Sequence, residues 1–305
     1  MDFSAHRSTL GSWSSPLRIC AGTEEGLVVE WDVDPAIGAL SSKNRPWQAH
    51  ERATAFGAAF SGVTAIALRG STIVTGGSDS HACVWSHSES SPSGVELERR
   101  ILGAHKGAVT AIEHYCASST PAEHTTEEPQ VPSITVTGGE DALVKVWSAV
   151  GDMVLEPSKS DAKASHGTGT SPCAVSSLKL NMLHRQLCSG SEDGFVRLWD
   201  LGAGRAVKRL AHRSAAVPAS HARQQQASAR AVGTRTLRGV QAVTWNDEQH
   251  TQIASGAADG SISLWDLRVA EYPQLVSGHT ACVTAISAHA WNLLSAALDS
   301  TVHLW

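Results

Sequence analysis

The segment Ser189–Asp200 reads SGSEDGFVRLWD, and the segment Ser255–Asp266 reads SGAADGSISLWD. Both begin with a serine, carry an acid at the fifth position and end in Trp-Asp. The residues between the acid and the tryptophan are mostly apolar or β-branched, so each segment predicts two short strands joined by an Asp-Gly turn. Weaker copies of the same hairpin occur along the chain, and an internal repeat therefore decides the fold.

Two fixed spacings define six copies. A tryptophan ends each copy, at Trp31, Trp85, Trp147, Trp199, Trp265 and Trp305. An acid stands six residues earlier, at Glu25, Asp79, Asp141, Asp193, Asp259 and Asp299. A hydroxyl residue stands four residues before the acid in five copies, at Thr75, Thr137, Ser189, Ser255 and Ser295. Most copies also have an upstream apolar strand that follows a small residue and a histidine. Each unit is expected to contain three antiparallel strands, with a fourth in the connection to the next unit.

This Gly-His, Asp and Trp-Asp pattern resembles the WD-repeat β-propeller family, whose blades have four strands and a period of about 40–45 residues. The resemblance covers nearly the whole chain and implies an all-β propeller with six recognisable blades. The predicted repeats span residues 5–48, 49–102, 103–164, 165–210, 211–276 and 277–305. The sixth repeat lacks residues for a fourth strand after Trp305, so we expect a seven-bladed type with an incomplete C-terminal end.

The repeated polar residues are expected to form a structural network within each blade. A buried carboxylate needs donors, which a histidine, a hydroxyl and a tryptophan N–H can supply in series. The predicted members are His105, Thr137, Asp141, Trp147, Ser189, Asp193, Trp199, Ser255, Asp259, Trp265, His279, Ser295, Asp299 and Trp305. A catalytic Ser-His-Asp triad uses the same residue types, but a nucleophile needs one exposed site and not five repeated interior ones. We therefore predict no catalytic residues, no cofactor and no metal site.

Composition narrows the functional class further. The formal net charge is −5 and 42% of the residues are hydrophobic, which excludes a strongly basic protein and favours a substantial core. No apolar run approaches the roughly 18 residues that span a bilayer, and the N-terminus lacks the apolar core of a signal peptide. The six cysteines are scattered without a Cys-x-x-Cys spacing. These features predict an intracellular protein, cytoplasmic or nuclear, without a membrane partner.

Three insertions interrupt the repeats, at residues 115–132, 156–170 and 212–238. The first is acidic, and the second is rich in Ser, Lys, Gly and Ala. The third lacks acids and carries the candidate partner-binding residues Arg213, Arg223, Arg230 and Arg235, followed by Arg238. Such a basic loop can contact an acidic protein or RNA phosphates, or it can be an insertion without a specific role. No aromatic residues are interleaved for base stacking, so direct nucleic-acid binding is not predicted.

The segment Ile253–Arg268 matches the sixteen-residue box of WD-repeat substrate receptors for cullin-four ubiquitin ligases. Carried over from that resemblance, the partner-binding residues are Asp259, Trp265, Asp266 and Arg268, with Arg268 helping to dock the ligase adaptor. The Trp199-Asp200 copy lacks the corresponding arginine. We predict a non-enzymatic scaffold that binds other proteins in a multiprotein complex. The alternatives are a ubiquitin-ligase substrate receptor and a ribosome-biogenesis or RNA-associated factor.

Overall fold

The structure is a computed structural model of the 305-residue chain. It describes residues 2–4, 17–34, 39–42, 45–50, 61–88, 90–91, 93–116, 133–148, 152–155, 173–212, 239–246, 251–268, 273–290 and 292–305. The chain divides into two compact units. Unit 1 comprises Met1–Glu140 and Lys145–Met153, and unit 2 comprises Asp141–Val144 and Val154–Trp305.

The described strands form six separate antiparallel sheets. We number these sheets blade 1 to blade 6. Blade 1 contains β1 (Asp2–Ser4), β2 (Leu17–Gly22), β3 (Leu27–Val33), β4 (Leu40–Ser42) and β5 (Trp47–Gln48). Blade 2 contains β6 (Val63–Arg69), β7 (Thr72–Gly77), β8 (Ala82–His87) and β9 (Val95–Ile101). Blade 3 contains β10 (Val109–Tyr115), β11 (Ile134–Gly139), β12 (Val144–Ser148) and β13 (Met153–Leu155).

The remaining three blades have the same up-and-down order. Blade 4 contains β14 (Val175–Asn181), β15 (Gln186–Ser191), β16 (Phe195–Asp200) and β17 (Arg205–Ala211). Blade 5 contains β18 (Val240–Trp245), β19 (Gln252–Ala257), β20 (Ser261–Asp266) and β21 (Gln274–Ser277). Blade 6 contains β22 (Val283–His289), β23 (Asn292–Ala297) and β24 (Val302–Leu304). The prediction of an all-β propeller fold with six blades is confirmed, whereas a seventh blade stays a prediction.

The turn after each acid explains why the hairpin motif repeats. In blades 2 to 6 the acid side chain accepts a hydrogen bond from the backbone N–H two residues later, as Asp193 Oδ1 does from Phe195 N at 3.0 Å. In blade 1 the corresponding N–H, that of Leu27, donates to Thr23 Oγ1 at 3.1 Å. The intervening residue then adopts a left-handed conformation, in which φ is positive. This holds in all six copies, at Gly26, Ser80, Ala142, Gly194, Gly260 and Ser300. A short acceptor side chain followed by a residue with positive φ reverses the chain within the tight connection between strands.

Glycines at the end of the second strand allow neighbouring blades to pack closely. A Cβ added to Gly256 would lie 2.4 Å from the Val283 side chain, and one added to Gly190 would lie 2.7 Å from Val240. In unit 1 the same relation joins Gly76 to Val109. The valine is the first residue of the next blade's first strand and precedes a β-bulge, so it projects into the space that the missing side chain leaves. A repeated Gly–Val contact thus sets the distance between sheets within each unit.

The core consists of the apolar residues that these sheets bury. In unit 1, Trp85 packs with Trp47 in an edge-to-face arrangement at 6.3 Å, within a cluster that includes Cys20 and Cys83. In unit 2, Trp245 and Trp265 belong to one buried cluster. Cys188 lies in that cluster as well, as expected for cysteines that serve as small apolar residues. None of the six cysteines forms a disulfide bond.

Candidate functional site

The polar residues of blade 2 form a continuous chain of hydrogen bonds. Trp85 Nε1 donates to Thr75 Oγ1 at 3.1 Å, and Thr75 Oγ1 lies 3.1 Å from His50 Nε2. His50 Nδ1 lies 2.9 Å from Asp79 Oδ2. Since a carboxylate only accepts, His50 Nδ1 carries a proton and donates it to Asp79. Each polar group of this tetrad has a partner inside the blade.

The charge of Asp79 is stabilised by the same network. Burial raises the pKa of the Asp79 carboxyl. The hydrogen bond from His50, the charge of His50 and the hydrogen bond from the His81 backbone N–H together lower this pKa by more than burial raises it. The pKa of Asp79 consequently lies below its ordinary value, and the group is an anion at neutral pH. The four residues were not among the predicted network members, although Ala49-His50 follows the same small-residue-histidine pattern as Ala104-His105.

Blade 6 contains a second complete tetrad, made of predicted members. His279 Nε2 lies 2.7 Å from Ser295 Oγ, and His279 Nδ1 lies 3.1 Å from Asp299 Oδ2. Trp305 Nε1 donates to Ser295 Oγ at 2.9 Å. Hydrogen bonds from the Thr301 hydroxyl and from backbone N–H groups hold the pKa of the Asp299 carboxyl well below its usual range, against the opposing effect of desolvation.

In blade 3, three of the predicted members contact one another. His105 Nε2 lies 2.8 Å from Thr137 Oγ1, and Trp147 Nε1 donates to the same oxygen at 2.9 Å. These three residues belong to unit 1. Asp141 belongs to unit 2, where its Oδ1 accepts from Leu143 N at 3.1 Å and caps the turn.

In blade 4 an arginine contacts the acid. Trp199 Nε1 donates to Ser189 Oγ at 2.8 Å, as in the other blades. Asp193, however, pairs with the Arg197 guanidinium at 2.5 Å. Arg197 is buried and is the cross-strand neighbour of Ser189. The predicted histidine counterpart for this blade, His166, lies outside the described residues.

Blade 5 uses a histidine that the sequence analysis assigned to an insertion. His212 Nδ1 lies 2.7 Å from Ser255 Oγ, and His212 Nε2 lies 2.9 Å from Ser261 Oγ. Ser261 in turn donates to Asp259 Oδ1, so the serine stands between the histidine and the acid. His212 also packs edge-to-face with Trp265 at 6.2 Å.

The predicted insertion 212–238 therefore begins with a residue that is part of blade 5. The signal was present in the sequence, because Ala211-His212 repeats the small-residue-histidine pair of Ala104-His105. The long segment between His212 and β18 separates the pair from its blade and conceals it. Burial lowers the pKa of His212 to about 4, although the nearby charge of Asp259 raises it, so the imidazole is neutral at physiological pH.

Two further blades carry polar residues where the other copies are apolar. In blade 3, the cross-strand pair His114 and Thr135 is buried and hydrogen-bonded at 2.9 Å. The equivalent pairs are Leu68–Ile73, Leu180–Leu187, Trp245–Ile253 and Ala288–Leu293. Burial, aided by the charge of Arg69, lowers the pKa of His114 to about 4. This pair was not predicted, although the strand positions of the other blades, aligned in sequence, distinguish it.

The second departure lies in unit 1, between blades 1 and 2. Glu30 precedes Trp31, where the other five copies have Val or Leu, and its side chain is fully buried. His87 Nε2 contacts the Glu30 carboxylate at 2.9 Å, and Arg18 approaches it at 4.0 Å. His87 Nδ1 lies 2.9 Å from the Ser71 carbonyl. This contact joins β3 to β8, and it was not predicted from the sequence.

The predicted partner-binding residues fall into two groups. At the end of β20, Arg268 donates to Asp266 through Nε at 3.1 Å and through Nη2 at 2.8 Å. The Arg268 side chain is 61% exposed, and its hydrogen bonds lower the pKa of Asp266 to about 2. Asp259 and Trp265 instead belong to the interior of blade 5. The other group, Arg213, Arg223, Arg230 and Arg235, lies outside the described residues.

Among the residues that the structure describes, no group of three or more His, Cys, Asp or Glu side chains could hold a metal ion. In the same part of the chain, no helix is long and apolar enough to cross a membrane.

Comparison with known families supports the repeat assignment. Residues 155–305 match the family model of the β-propeller of nucleolar protein 10-like proteins, described as their N-terminal domain. This match covers blades 4 to 6.

Curated relatives align with half of the chain. Mitochondrial division protein 1 of Kluyveromyces lactis is 29% identical over 153 residues, which cover 50% of this chain and 21% of that protein. Its namesake in Aspergillus niger is 32% identical, over 50% of this chain and 27% of that protein. CCR4-associated factor 4 of Saccharomyces cerevisiae is 27% identical, over 50% of this chain and 25% of that protein. The chain thus spans about a fifth to a quarter of the length of these relatives.

A solved structure matches the fold over the whole chain. The crystal structure of the computationally designed protein Ika8 superimposes with a TM-score of 0.60 and 20% identity, covering 100% of this chain and 70% of that one. At this identity the likeness concerns the fold alone. The six-blade repeat, the polar network of the blades and these relatives agree, and the chain belongs to the WD-repeat β-propeller family.

Proposed function

We propose that this chain is a non-enzymatic scaffold that binds other proteins in a multiprotein complex. The proposal rests on the groups that the repeated polar residues contact. In blades 2 and 6 the histidine, hydroxyl, acid and tryptophan bind one another, and the hydroxyl residues Thr75 and Ser295 are buried. A hydroxyl in such a position stabilises the blade and is not presented to a substrate. We accordingly propose that the predicted network residues have a structural role.

The relatives support a protein-binding role at the level of the family. The name of CCR4-associated factor 4 describes an association with another factor, and that of mitochondrial division protein 1 describes an organelle process. Neither partner is transferred to this chain. We propose that its own specificity resides in segments that depart from the repeat, foremost the basic segment with Arg213, Arg223, Arg230 and Arg235.

Affinity purification with quantitative mass spectrometry tests the scaffold proposal. The bait is the wild-type chain, compared with a variant in which these four arginines are changed to glutamate. We expect a stable set of co-purifying proteins that the charge-reversed variant loses while its circular dichroism and thermal unfolding stay unchanged. Replacing the same arginines with lysine is the matched control, since it keeps the charge and should keep the partners. A wild-type bait without specific partners would contradict the proposal.

A second candidate function is that of a cullin-four ubiquitin-ligase substrate receptor. The exposed Arg268–Asp266 pair favours it, because an arginine at the end of β20 is accessible to a ligase adaptor. We expect Arg268→Ala to abolish adaptor binding without unfolding blade 5. Arg205→Ala is the matched control, since Arg205 lies opposite Asp200 in blade 4, which lacks the box. Adaptor binding that survives Arg268→Ala would remove the support for this function.

A nucleolar, ribosome-associated role is the third candidate, and the match of residues 155–305 to nucleolar protein 10-like propellers favours it. Affinity purification with quantitative mass spectrometry distinguishes this role from the others. A ribosome-associated chain would recover ribosomal precursors and not the ligase adaptor. We do not expect direct RNA binding. Nuclease treatment of the sample should therefore leave the protein partners attached.

A further inference from the structure

A small cluster of charged side chains joins blade 1 to blade 2 inside unit 1. It consists of Arg18 on β2, Glu30 and Asp32 on β3, and His87 on β8, and we call it the Glu30 cluster. The Glu30 side chain is fully buried, and the other three side chains are 18% to 25% exposed. His87 Nε2 lies 2.9 Å from Glu30 Oε2 and 3.0 Å from Glu30 Oε1. The histidine therefore faces both oxygens of a buried carboxyl group.

The other ring nitrogen of His87 also faces an atom that only accepts hydrogen bonds. His87 Nδ1 lies 2.9 Å from the carbonyl oxygen of Ser71, in the turn between β6 and β7. A carbonyl oxygen and a carboxylate have no proton to donate, so a hydrogen bond at each end of the ring requires a proton on each nitrogen. A neutral imidazole carries only one of these two protons. The two contacts together are those of an imidazolium cation.

Arg18 offers a competing partner for Nδ1 at a longer distance. Arg18 Nη1 lies 3.4 Å from His87 Nδ1, and it donates to this atom only if Nδ1 has a lone pair. That lone pair would face the Ser71 carbonyl oxygen at 2.9 Å, which brings two acceptors into repulsive contact. Arg18 Nη1 also donates to the Gly70 carbonyl at 3.2 Å, so this nitrogen has an acceptor without His87. The shorter contact therefore assigns a proton to Nδ1.

The proton between Nε2 and Glu30 belongs to the imidazole. Nε2 is almost equidistant from the two carboxyl oxygens, whereas a protonated carboxyl group would donate from one oxygen only. A glutamic acid is also the stronger acid of the two, since the groups titrate at about 4.3 and about 6.5 in water. Arg18 Nη1, 4.0 Å from Glu30 Oε1, further favours the carboxylate.

The charges of the Glu30 cluster balance when His87 is a cation. Arg18 and His87 then carry two positive charges, while Glu30 and Asp32 carry two negative ones, and Arg18 Nε lies 4.0 Å from Asp32 Oδ1. A neutral His87 would leave a net negative charge around the fully buried Glu30. A buried charge without compensation is costly because the interior screens it poorly. Charge balance thus gives the same protonation state as the hydrogen bonds.

The charged side chains next to the cluster are directed elsewhere. Arg69, the last residue of β6, lies over the Tyr115 ring at 6.0 Å, on the side of blade 3. On β9, Glu96 is paired with Ser86 and not with His87, so strand alternation places it on the other face of blade 2. Among the described residues, the charged groups in contact with His87 are therefore those of the Glu30 cluster.

We propose that His87 is protonated in the folded chain at neutral pH and is a pH-sensitive latch between blades 1 and 2. In the unfolded chain an imidazole titrates near pH 6.5. The latch therefore stabilises fully below about pH 6.5, and its contribution is lost as the pH rises through the titration of His87 in the folded chain. Loss of a proton leaves a lone pair facing either the Ser71 carbonyl or the Glu30 carboxylate, which loosens the contact between β8 and β3. This latch is independent of the scaffold role proposed above.

Long-range ¹H–¹⁵N correlation NMR of the wild-type chain, labelled at the histidine imidazoles, tests the protonation state. The His87 signals are identified by their absence from the spectrum of His87→Gln. At neutral pH we expect both ring nitrogens of His87 to resonate as protonated nitrogens. In Glu30→Gln one of them should move to the position of a nitrogen with a lone pair, because the carboxylate that holds the proton is gone. A wild-type His87 with one lone-pair nitrogen at neutral pH overturns the proposal, and this result does not depend on the folding of either variant.

Hydrogen–deuterium exchange with mass spectrometry tests the latch itself. The readout is the protection of β3 and β8 relative to that of β18 and β19 in blade 5, at about pH 6 and about pH 9, corrected for the intrinsic pH dependence of exchange. We expect this ratio to fall by at least about tenfold in the wild type at the higher pH, because a charge-assisted hydrogen bond to a buried group is lost. In His87→Gln the ratio should be the same at both pH values.

The matched control is His184→Gln, since His184 is an exposed histidine in the turn between β14 and β15. This variant should show the pH dependence of the wild type. An equal ratio at the two pH values in the wild type overturns the latch. A fall in the ratio that persists in His87→Gln overturns it as well, because the titrating group would then be a different one.

Discussion

The turn that follows each acid combines a shared backbone geometry with different residues. Gly194 and Gly260 adopt positive φ without steric cost, whereas Ser80, Ala142 and Ser300 adopt it with a Cβ in place. The copies with Asp-Gly are therefore locally relaxed, and the copies with Asp-Ser or Asp-Ala are locally strained.

We expect Ala142→Gly to stabilise the protein by about 0.5–1 kcal/mol. Relief of the left-handed strain at φ 62 exceeds the added entropy of glycine in the unfolded chain. Chemical denaturation followed by tryptophan fluorescence measures the change. Gly194→Ala is the reverse experiment and should destabilise by a similar amount. Changes of the same sign in the two variants would show that the turn geometry does not control these positions.

The shared hydroxyl is the residue on which each tetrad depends. Thr75 accepts from Trp85 and contacts His50, so removing its oxygen leaves two buried polar groups without a partner. Thr75→Val is expected to destabilise by about 2–3 kcal/mol, measured by equilibrium unfolding. Thr72→Val on the same strand is the control, with an expected change within about 0.5 kcal/mol. Equal effects of the two substitutions would argue against the network.

At the scale of the strands, the blades share one pattern of buried apolar positions. Where a polar residue takes such a position, a second polar residue lies beside it. Thr135 faces His114 where the other blades have two apolar residues, and His87 of blade 2 faces Glu30 of blade 1. A buried polar residue is tolerated when a neighbour satisfies it, and a half-satisfied pair is worse than an apolar one. Within the described part of the chain, His114 Nε2 has no hydrogen-bond partner, so this pair is only half satisfied.

We expect the double substitution His114→Leu/Thr135→Ile, which restores the apolar pair of blade 2, to stabilise blade 3 by about 1–2 kcal/mol. His114→Leu alone should gain less, because it leaves the Thr135 hydroxyl buried without its partner. Thermal unfolding of the two single variants and the double variant gives the coupling between the positions. Strict additivity would mean that the two side chains do not act as a pair.

At the scale of the whole chain, buried titratable groups make stability dependent on pH. His114 and His212 have pKa values of about 4 in the folded chain and 6.5 in the unfolded one. The unfolded chain therefore binds more protons between these values, and the free energy of unfolding falls as the pH drops from 6.5 toward 4. The carboxyls of Asp79 and Asp299 have lowered pKa values, so their contribution is present above pH 3.8 and is lost below it.

We expect a first loss of stability between pH 6.5 and 4, of at most about 3 kcal/mol per histidine, and a second loss below pH 3.8. Urea titrations at closely spaced pH values measure both. In the His114→Leu/Thr135→Ile variant the first loss should shrink, while the second should be unchanged. A free energy of unfolding that is constant from pH 7 to pH 4 would contradict the burial of neutral histidines.

The sequence by itself determined the blades, because a hairpin needs only local residues. The acid, the residue with positive φ and the alternating apolar positions act within twelve residues, and the six copies were found from spacing alone. The tryptophan and its hydroxyl partner are also ten residues apart in every blade where their bond is seen, which made that contact predictable.

Only the tertiary structure decided which residues meet across long separations. His212 reaches Ser255, 43 residues away, and His87 reaches Glu30, 57 residues away, and neither distance recurs as a fixed spacing. The exposure of Leu294 and Leu304 was likewise outside the reach of the repeat pattern, because the pattern gives them the same apolar character as their buried counterparts. Burial depends on which surface lies opposite, and that is a property of the assembled sheets and not of the local sequence.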